Sequence, residues 1–564
     1  MQKPSAQSVR SRAEQEQEQE PGSSSPHGTR WERWGGWGRW GSGRPLVTLL
    51  LAVGLLYGLG LGARDLWAPD EPRYGAIAEE LRSFRHGTSG LVLLHLNDAP
   101  YTQKPPLYFW LAALAGLPFG RVDELAARLP SALAGVGCVG LTAVLGRWLL
   151  GHAGASLLAA GLLATSFRFA WTARRVQLDV LLTFFELLAI VIFLWLDWRR
   201  GGIERSRAHP AALAGLHGAL GAAALVKGPV GWLPLVVFAG YLAWEGRLRA
   251  FRSLVPPWAW LLSVAPVAIW IMSAVALAPA GFADRAVVEN LIGRFFEGTS
   301  HARPFYYYAY QLPLDFLPWS LLLPFALPVV WHWARARPSV STREADPPPP
   351  APPAPSRRTA ARFLLAWIGL PLVFFSLSAG KRGLYLLPVF PALALIAAAV
   401  VVEAELRPER RWKGLSLTGL ARVVVGVALL EWAIFVGVLP RLHAEKSPRP
   451  IAEAAAAGLE PSQAIGVYAL RPLEGGITYY SGRSVASLQT PAQLERFLAA
   501  GGQRVILRTR HLEAFQSEQN SEQKSEQNLR EITRLRSGRR SIAVAGPGTR
   551  REPHPSTTSG RDTP

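Results

Sequence analysis

Residues 64–110 read RDLWAPDEPRYGAIAEELRSFRHGTSGLVLLHLNDAPYTQKPPLYFW, a polar and charged stretch set between long apolar runs. Those runs have the length and composition of membrane helices, so the stretch is a loop of a membrane protein. It carries an Asp-Glu pair at Asp70 and Glu71, then Arg73 and Tyr74, and Lys104 before two prolines. These are the groups needed to handle a phosphate-bearing substrate at a membrane surface. Residues 72–86 read as one short helix, with Ile77 and Leu81 on one side and Glu79, Glu80, Arg82 and Arg85 elsewhere. That pattern suits a helix lying in the interface plane. A loop built to lie on the bilayer points to a lipid-linked substrate.

Composition agrees. With 564 residues, 49% hydrophobic residues, mean hydropathy +0.15 and 21 Trp, the chain reads as a polytopic membrane protein. The net charge of +20 does not indicate nucleic acid. The arginines fall in short clusters between apolar runs, as cytoplasmic loops are marked, and no basic groove interleaved with aromatics accompanies them. The single cysteine, Cys138, excludes an internal disulfide framework and a thiolate metal cluster. The first apolar run begins near Pro45, after a polar Gln-Glu tract at 15–20, so no cleavable signal is expected.

Outward from the loop, residues 1–44 read as a disordered cytoplasmic arm with a Trp-, Gly- and Arg-rich anchor beside the first helix. Residues 45–439 form the membrane domain. Within it, 64–106 is an external catalytic loop, 278–310 a second external loop, and 335–360 a Pro-rich cytoplasmic linker. Residues 107–119 are apolar but too short to cross, so they are read as re-entrant or interfacial; every Arg cluster then falls inside. About eleven crossings result, within a range up to thirteen. After Pro440 the composition turns soluble. Strands are expected at 465–470, 484–488, 505–508 and 542–545 and a helix at 491–500, giving a small periplasmic α/β domain over 440–546. The SEQ repeats at 517–527 and the tail at 547–564 read as disordered. The fold class is therefore an all-α polytopic membrane protein with a small C-terminal α/β domain.

Under this topology Asp70, Lys104, Asp179, Lys227, Arg294, His301, Lys381 and Tyr385 gather at the outer face. Ionisable groups at membrane depth or its edge are expensive to keep and usually functional or paired. Lysines and arginines at helix ends also snorkel to the interface. This chain uses Arg almost everywhere yet keeps Lys104, Lys227 and Lys381 outside, which together resemble a phosphate site. Asp70 is also a good helix start, Asp179 has Arg174 and Arg175 at hand as partners, and Tyr306–Tyr308 suit an interfacial belt.

The motifs WAPDEPRYGAIAEEL, YTQKPPLYFWLAAL, RLPSALAG, QLDVLLTFF, VKGPVG, HARPFYYY with FLPW, and SAGKRGLYLLPVFPALAL resemble, in order and spacing, the bacterial integral-membrane glycosyltransferases of family 39. The likeness runs from about residue 64 to 395. It is strongest to the lipid A aminoarabinose transferases, with protein O-mannosyltransferases more distant. The resemblance implies a GT-C fold, a polyprenyl-phosphate-linked sugar donor and transfer on the periplasmic side of the bacterial inner membrane. It makes Asp70 essential and matches Asp179 to a second functional carboxylate, with Arg73, Tyr74, Tyr101, Lys104 and Tyr385 at the family's motif positions. Glu71, Lys227, Arg294, His301 and Lys381 complete the candidate substrate- and phosphate-binding set.

One departure stands out. The aminoarabinose transferases place Glu before the KPP lysine, in a position associated with metal contact, whereas this chain has Gln103. A neutral amide is a poorer ligand for a hard or borderline cation, so no metal ligand is assigned.

The residue types support the chemistry independently. A polyprenyl-phosphate sugar already has its leaving group, so cations stabilise the growing phosphate charge. A lone carboxylate, Asp70, serves the acceptor in a one-step displacement with inversion. Expected partners are the lipid-linked donor, a periplasmic acceptor such as lipid A, another envelope glycolipid or a protein, and membrane lipids, with no nucleic acid. The rival readings are a protein O-mannosyltransferase-like enzyme and, in a different class, a flippase of lipid-linked sugars. A flippase needs mid-helix charges and an inverted repeat, neither of which the sequence shows.

Overall fold

The computed structural model describes residues 43–282, 284, 302–336, 355–406, 416–442, 446–522, 529–538 and 540–547. Most of the arm, the Pro-rich linker and the tail, together with Arg294 and His301, lie outside the described residues.

Helices dominate. α1 (Arg44–Gly58) leads to α2 (Asp70–Arg82) and α3 (Leu107–Gly116), then to α4 (Glu124–Leu149) and the bent pair α5 (Ala153–Ala164) and α6 (Phe167–Ala173). α7 (Leu178–Arg199), α8 (Pro210–Lys227), α9 (Leu233–Trp244) and α10 (Pro257–Leu277) follow. α11 (Tyr307–Asp315) and α12 (Leu323–Arg335) form a second bent pair, and α13 (Arg357–Leu377), α14 (Phe390–Leu406) and α15 (Leu417–Trp432) complete the bundle.

Among the described residues, seven helices are long and apolar enough to cross a membrane, or up to nine if each bent pair is one span. That count takes Pro210–Trp244 as a single span, and its contacts show two passes. Lys227, ending α8, pairs with Asp179 in the first turn of α7. Arg247, just past α9, pairs with Asp197 near the far end of α7 at 2.7 Å. The chain therefore runs along α7 and returns, as the sequence predicts. The expected short character of 107–119 is also seen: α3 stays beside the start of α4, where Tyr108 Oη bonds the Ala127 carbonyl at 3.0 Å and Ser131 Oγ at 2.9 Å.

Local chemistry explains the helix ends. α7 opens with Asp179 and closes with Arg199, charges that complement its dipole. Asp123 caps α4 by accepting from Ala126 N at 2.8 Å. α14 is buried on nearly every side, with Ala392 and residues 394–399 at 0% exposure, whereas α10 and α15 are peripheral.

The interfacial helix differs from expectation. It spans Asp70–Arg82, and its face is covered by protein: Ile77 is 1% exposed, Leu81 8%, and Glu71 and Glu80 are buried as well. α3 packs on one side and the C-terminal domain on the other. Asp70 is not the cap either; Pro69 holds that position and Asp70 begins the first turn.

Beyond α2, a short hairpin pairs β1 (His95–Leu96) with β2 (Ala99–Pro100). The C-terminal domain starts with α16 (Arg449–Ala456). It then contains β3 (Ile465–Tyr468), α17 (Arg471–Ser481), β4 (Val485–Leu488), α18 (Pro491–Ala499), β5 (Val505–Arg508), α19 (Thr509–Glu522), β6 (Leu529–Ser537) and β7 (Arg540–Pro547). The strand order is β4-β3-β5-β7-β6, parallel among β4, β3 and β5 and antiparallel thereafter. Ile465, Val467, Ile506 and Val544 form its fully buried core. The strands expected from sequence are present. The first part of the repeat region departs from its disordered reading, because α19 runs into it as far as Glu522, while residues 523–527 lie outside the described residues; Glu and Gln are good helix formers.

Candidate active site

At the end of the bundle where α2, α7 and α8 meet lies a cavity of about 340 Å³. α2 supplies Asp70, Arg73 and Tyr74, the KPP segment Gln103 and Lys104, the start of α7 Gln177, Leu178 and Asp179, the end of α8 Lys227, and the segment before α14 Arg382, Leu384 and Tyr385. Seven of the sequence-predicted residues thus come together: Asp70, Arg73, Tyr74, Lys104, Asp179, Lys227 and Tyr385.

Helix ends place the charges. Asp179 sits in the first turn of α7 and Lys227 in the last turn of α8, each at the dipole end that favours its sign. They pair directly, and the Lys227 ammonium lies 4.8 Å from the Tyr385 ring centroid, a cation–π distance. Across the cavity Arg73 Nη2 meets Asp70 Oδ1 at 2.5 Å, one helical turn along α2. Arg73 Nε is buried with no partner among the described residues, so the guanidinium keeps unused donor capacity. Burial, then the nearby Asp70 charge, pushes the Tyr74 phenol up to about 12, leaving it a neutral hydroxyl at physiological pH. The walls hold four cations, Arg73, Lys104, Lys227 and Arg382, against two carboxylates. That excess suits an anionic group such as a phosphate.

Other candidates stand outside the walls. Glu71 follows Asp70 in sequence but turns about 100° around the helix, into protein. It is 0% exposed and accepts from Arg64 at 2.9 Å, Arg128 at 3.1 Å and the Trp67 amide at 3.0 Å. These bonds anchor the loop to the start of α4. Tyr101 is buried edge-on against Phe109 behind the wall. Lys381 donates to the carbonyls of Arg303 and Ser378 and is 4% exposed.

Arg382 lines the cavity in place of Lys381 and was not singled out from sequence. Its backbone is extended, φ −134° and ψ 143°, and successive extended residues point to opposite sides. The Lys-Arg pair of SAGKRG therefore sends one cation into the wall and one into the cavity. The aromatic run is more than a belt: Tyr308 is 2% exposed and donates to the Arg382 carbonyl at 3.1 Å.

The cavity residues do not fit a metal ion. Asp70 and Asp179 are each engaged by a cation, and position 103 offers a neutral amide. Among the described residues the one group of three metal-capable side chains is Glu80, His86 and Asp98. None of them lines the cavity, and Arg85 already holds Asp98 at 2.8 Å.

Comparison with known proteins finds relatives in sequence and in fold. The family model for dolichyl-phosphate-mannose-protein mannosyltransferase matches residues 46–283. The undecaprenyl phosphate-alpha-4-amino-4-deoxy-L-arabinose arabinosyl transferase of Pseudomonas paraeruginosa is 32% identical over 398 residues, covering 68% of this chain and 64% of the relative. That of Pseudomonas aeruginosa is 31% identical over 399 residues with the same coverage. The match thus spans slightly under two thirds of these relatives' length. The crystal structure of ArnT from Cupriavidus metallidurans bound to undecaprenyl phosphate superimposes with a TM-score of 0.68 at 19% identity, covering 88% of this chain and 97% of that one. In fold the chain matches that structure, a GT-C architecture, and in sequence it is similar to these transferases over slightly under two thirds of their length.

Proposed function

We propose that the chain moves a sugar from a polyprenyl-phosphate donor to an acceptor at the periplasmic face of the bacterial inner membrane, lipid A or another envelope glycolipid, with inversion. The observation that carries this reading is a cavity with four cations around Asp70 and Asp179 at one end of a membrane bundle. The names of the relatives support the donor class, and the acceptor class rests on the resemblance of the motifs. In the proposed step an acceptor hydroxyl oxygen attacks the anomeric carbon as the bond from that carbon to the phosphate oxygen breaks. The electron pair leaves with polyprenyl phosphate, whose charge Arg73, Lys104, Lys227 and Arg382 stabilise. The hydroxyl proton passes to Asp70. Asp179 holds Lys227 toward the phosphate. The mannosyltransferase family match favours a second reading, in which the acceptor is a protein hydroxyl served by the same machinery.

The test uses purified chain with a polyprenyl-phosphate sugar and an envelope-lipid or protein acceptor, followed by mass spectrometry. The expected result is a glycosylated acceptor and released polyprenyl phosphate. Donor moved intact across vesicles without transfer would overturn the reading in favour of a flippase. Because the described cavity residues do not fit a metal, transfer is expected to persist in excess chelator; a large loss restored by one divalent metal would contradict the mechanism.

Orientation has its own check. The end of the bundle opposite the cavity carries Arg199, Arg200, Arg205, Arg207, Arg247, Arg249 and Arg252, which supports placing it in the cytoplasm. On a Cys138→Ser background, Pro229→Cys is expected to react with a membrane-impermeant thiol reagent from outside and Arg200→Cys to stay protected. The reverse pattern would invert the topology.

A further inference from the structure

Among the described residues the C-terminal α/β domain contributes no side chain to the cavity, yet its helix α17 lies against the start of α2, with Gly475 directly over Arg73. A Cβ at Gly475 would sit 2.7 Å from both Cα and Cβ of Arg73 and 3.1 Å from its backbone nitrogen. On the other helix, a Cβ at Gly75 would lie 3.0 Å from the Tyr479 ring. Glycine at 475 lets α17 reach the α2 backbone, and glycine at 75 leaves room for the Tyr479 ring. The next residues of α17 grip the flanks. Tyr480 Oη accepts from the Leu66 amide at 2.6 Å and donates to Glu124 at 3.1 Å. Tyr479 Oη donates to the Val122 carbonyl at 2.6 Å.

We infer that α17 is a brace for the active-site helix and that Gly475 is a positioning residue, setting where Arg73 and Asp70 stand relative to Lys227 and Asp179. The assignment rests on the reading of Arg73 as a phosphate ligand given above. The physical reason is the mismatch of supports. Asp179 and Lys227 are fixed by long bundle helices, whereas Asp70 and Arg73 sit in the first turn of a 13-residue loop helix. A site of this kind needs placement to about half an ångström, and the direct backbone contact with α17 supplies it.

The experiment uses the full chain in detergent and reads two quantities: hydrogen–deuterium exchange across residues 66–82, and affinity for polyprenyl phosphate. Gly475→Ala adds one methyl against the Arg73 backbone. Exchange is expected to rise in that segment and affinity to fall about tenfold or more, the scale of one weakened charged hydrogen bond. The control is Gly466→Ala, which crowds Phe497 and Leu488 inside the same domain and should leave both readings near wild type. Should Gly475→Ala fail to fold, Tyr480→Phe removes the hydroxyl between Leu66 and Glu124 without added volume, and the same rise in exchange is expected. Unchanged exchange in a folded variant overturns the brace. Equal effects from Gly475→Ala and Gly466→Ala would also overturn it, since only domain stability would then matter. Raised exchange with unchanged phosphate affinity would support the brace and sink the reading of Arg73.

Discussion

Asp70→Asn is expected to yield a folded, membrane-inserted protein whose sugar transfer is lower by a factor on the order of 10² or more, the usual scale for losing a general base. The substitution keeps the side chain's size. It removes a negative charge from the first turn of α2, which costs about 0.3–1 kcal/mol of helix-dipole interaction, too little to unfold the protein. What it removes from the cavity is the group that would take the acceptor's proton. Polyprenyl phosphate binding should survive or strengthen, because Arg73 loses its 2.5 Å partner and turns wholly to the ligand. Transfer and phosphate affinity measured together on wild type and variant are decisive. Wild-type transfer in a well-folded Asp70→Asn protein would sink the mechanism.

The neighbouring position should behave oppositely. Glu71→Gln is expected to cost about 3–5 kcal/mol, the penalty for breaking a buried ion pair by changing one partner, a large share of a typical folding free energy of about 5–15 kcal/mol. Burial by itself would push the Glu71 carboxyl up. Arg128, Arg175 and Arg64 outweigh it and hold the group far below the usual carboxylate range. Gln leaves those guanidiniums without a counter-charge and turns an N–H toward one of them. Folded yield and thermal stability in detergent should drop sharply, and the residual folded fraction should still bind polyprenyl phosphate. A Glu71→Gln protein as stable as wild type would show that the arginines are satisfied by backbone carbonyls alone. Since the folded carboxyl titrates below the unfolded one, the stabilisation is complete above about pH 4.5 and is lost only as pH falls below it toward the folded value. No stability change from this group is expected between pH 5 and 8.

These two residues also mark how far the sequence could be read. Apolar run lengths and arginine placement were sufficient for the helical-bundle class, the α8–α9 return and the short α3, because each follows from bilayer thickness and charge asymmetry; the expected eleven crossings exceed the seven to nine candidate spans among the described residues. Asp70, Asp179, Lys104 and Lys227 were legible as polar groups where a membrane protein rarely keeps them. The direction of each side chain was not. Glu71 and Lys381 have the right charge in the right segment, yet helix phase and extended backbone turn them into the protein, and in the second case Arg382 takes the place. The sequence of α2 looked amphipathic enough to lie on lipid. Its cover is α17, some 400 positions away in the chain, and contacts of that separation leave no local pattern.

The burial of α14 has a consequence for biosynthesis. A helix with Ala392, Ala394 and Ile396 at 0% exposure is the axis on which α4, α5 and α12 close. It is also among the last spans to leave the ribosome. The first segments must therefore wait in the bilayer as loosely associated spans, because apolar helices gain little from one another in lipid until they pack closely. Arg382 and Tyr385 complete the cavity just before this axis enters. A nascent chain interrupted before residue 383 would carry both carboxylates of the cavity and no closed bundle to hold them, so formation of the cavity is bound to synthesis of the last third of the protein.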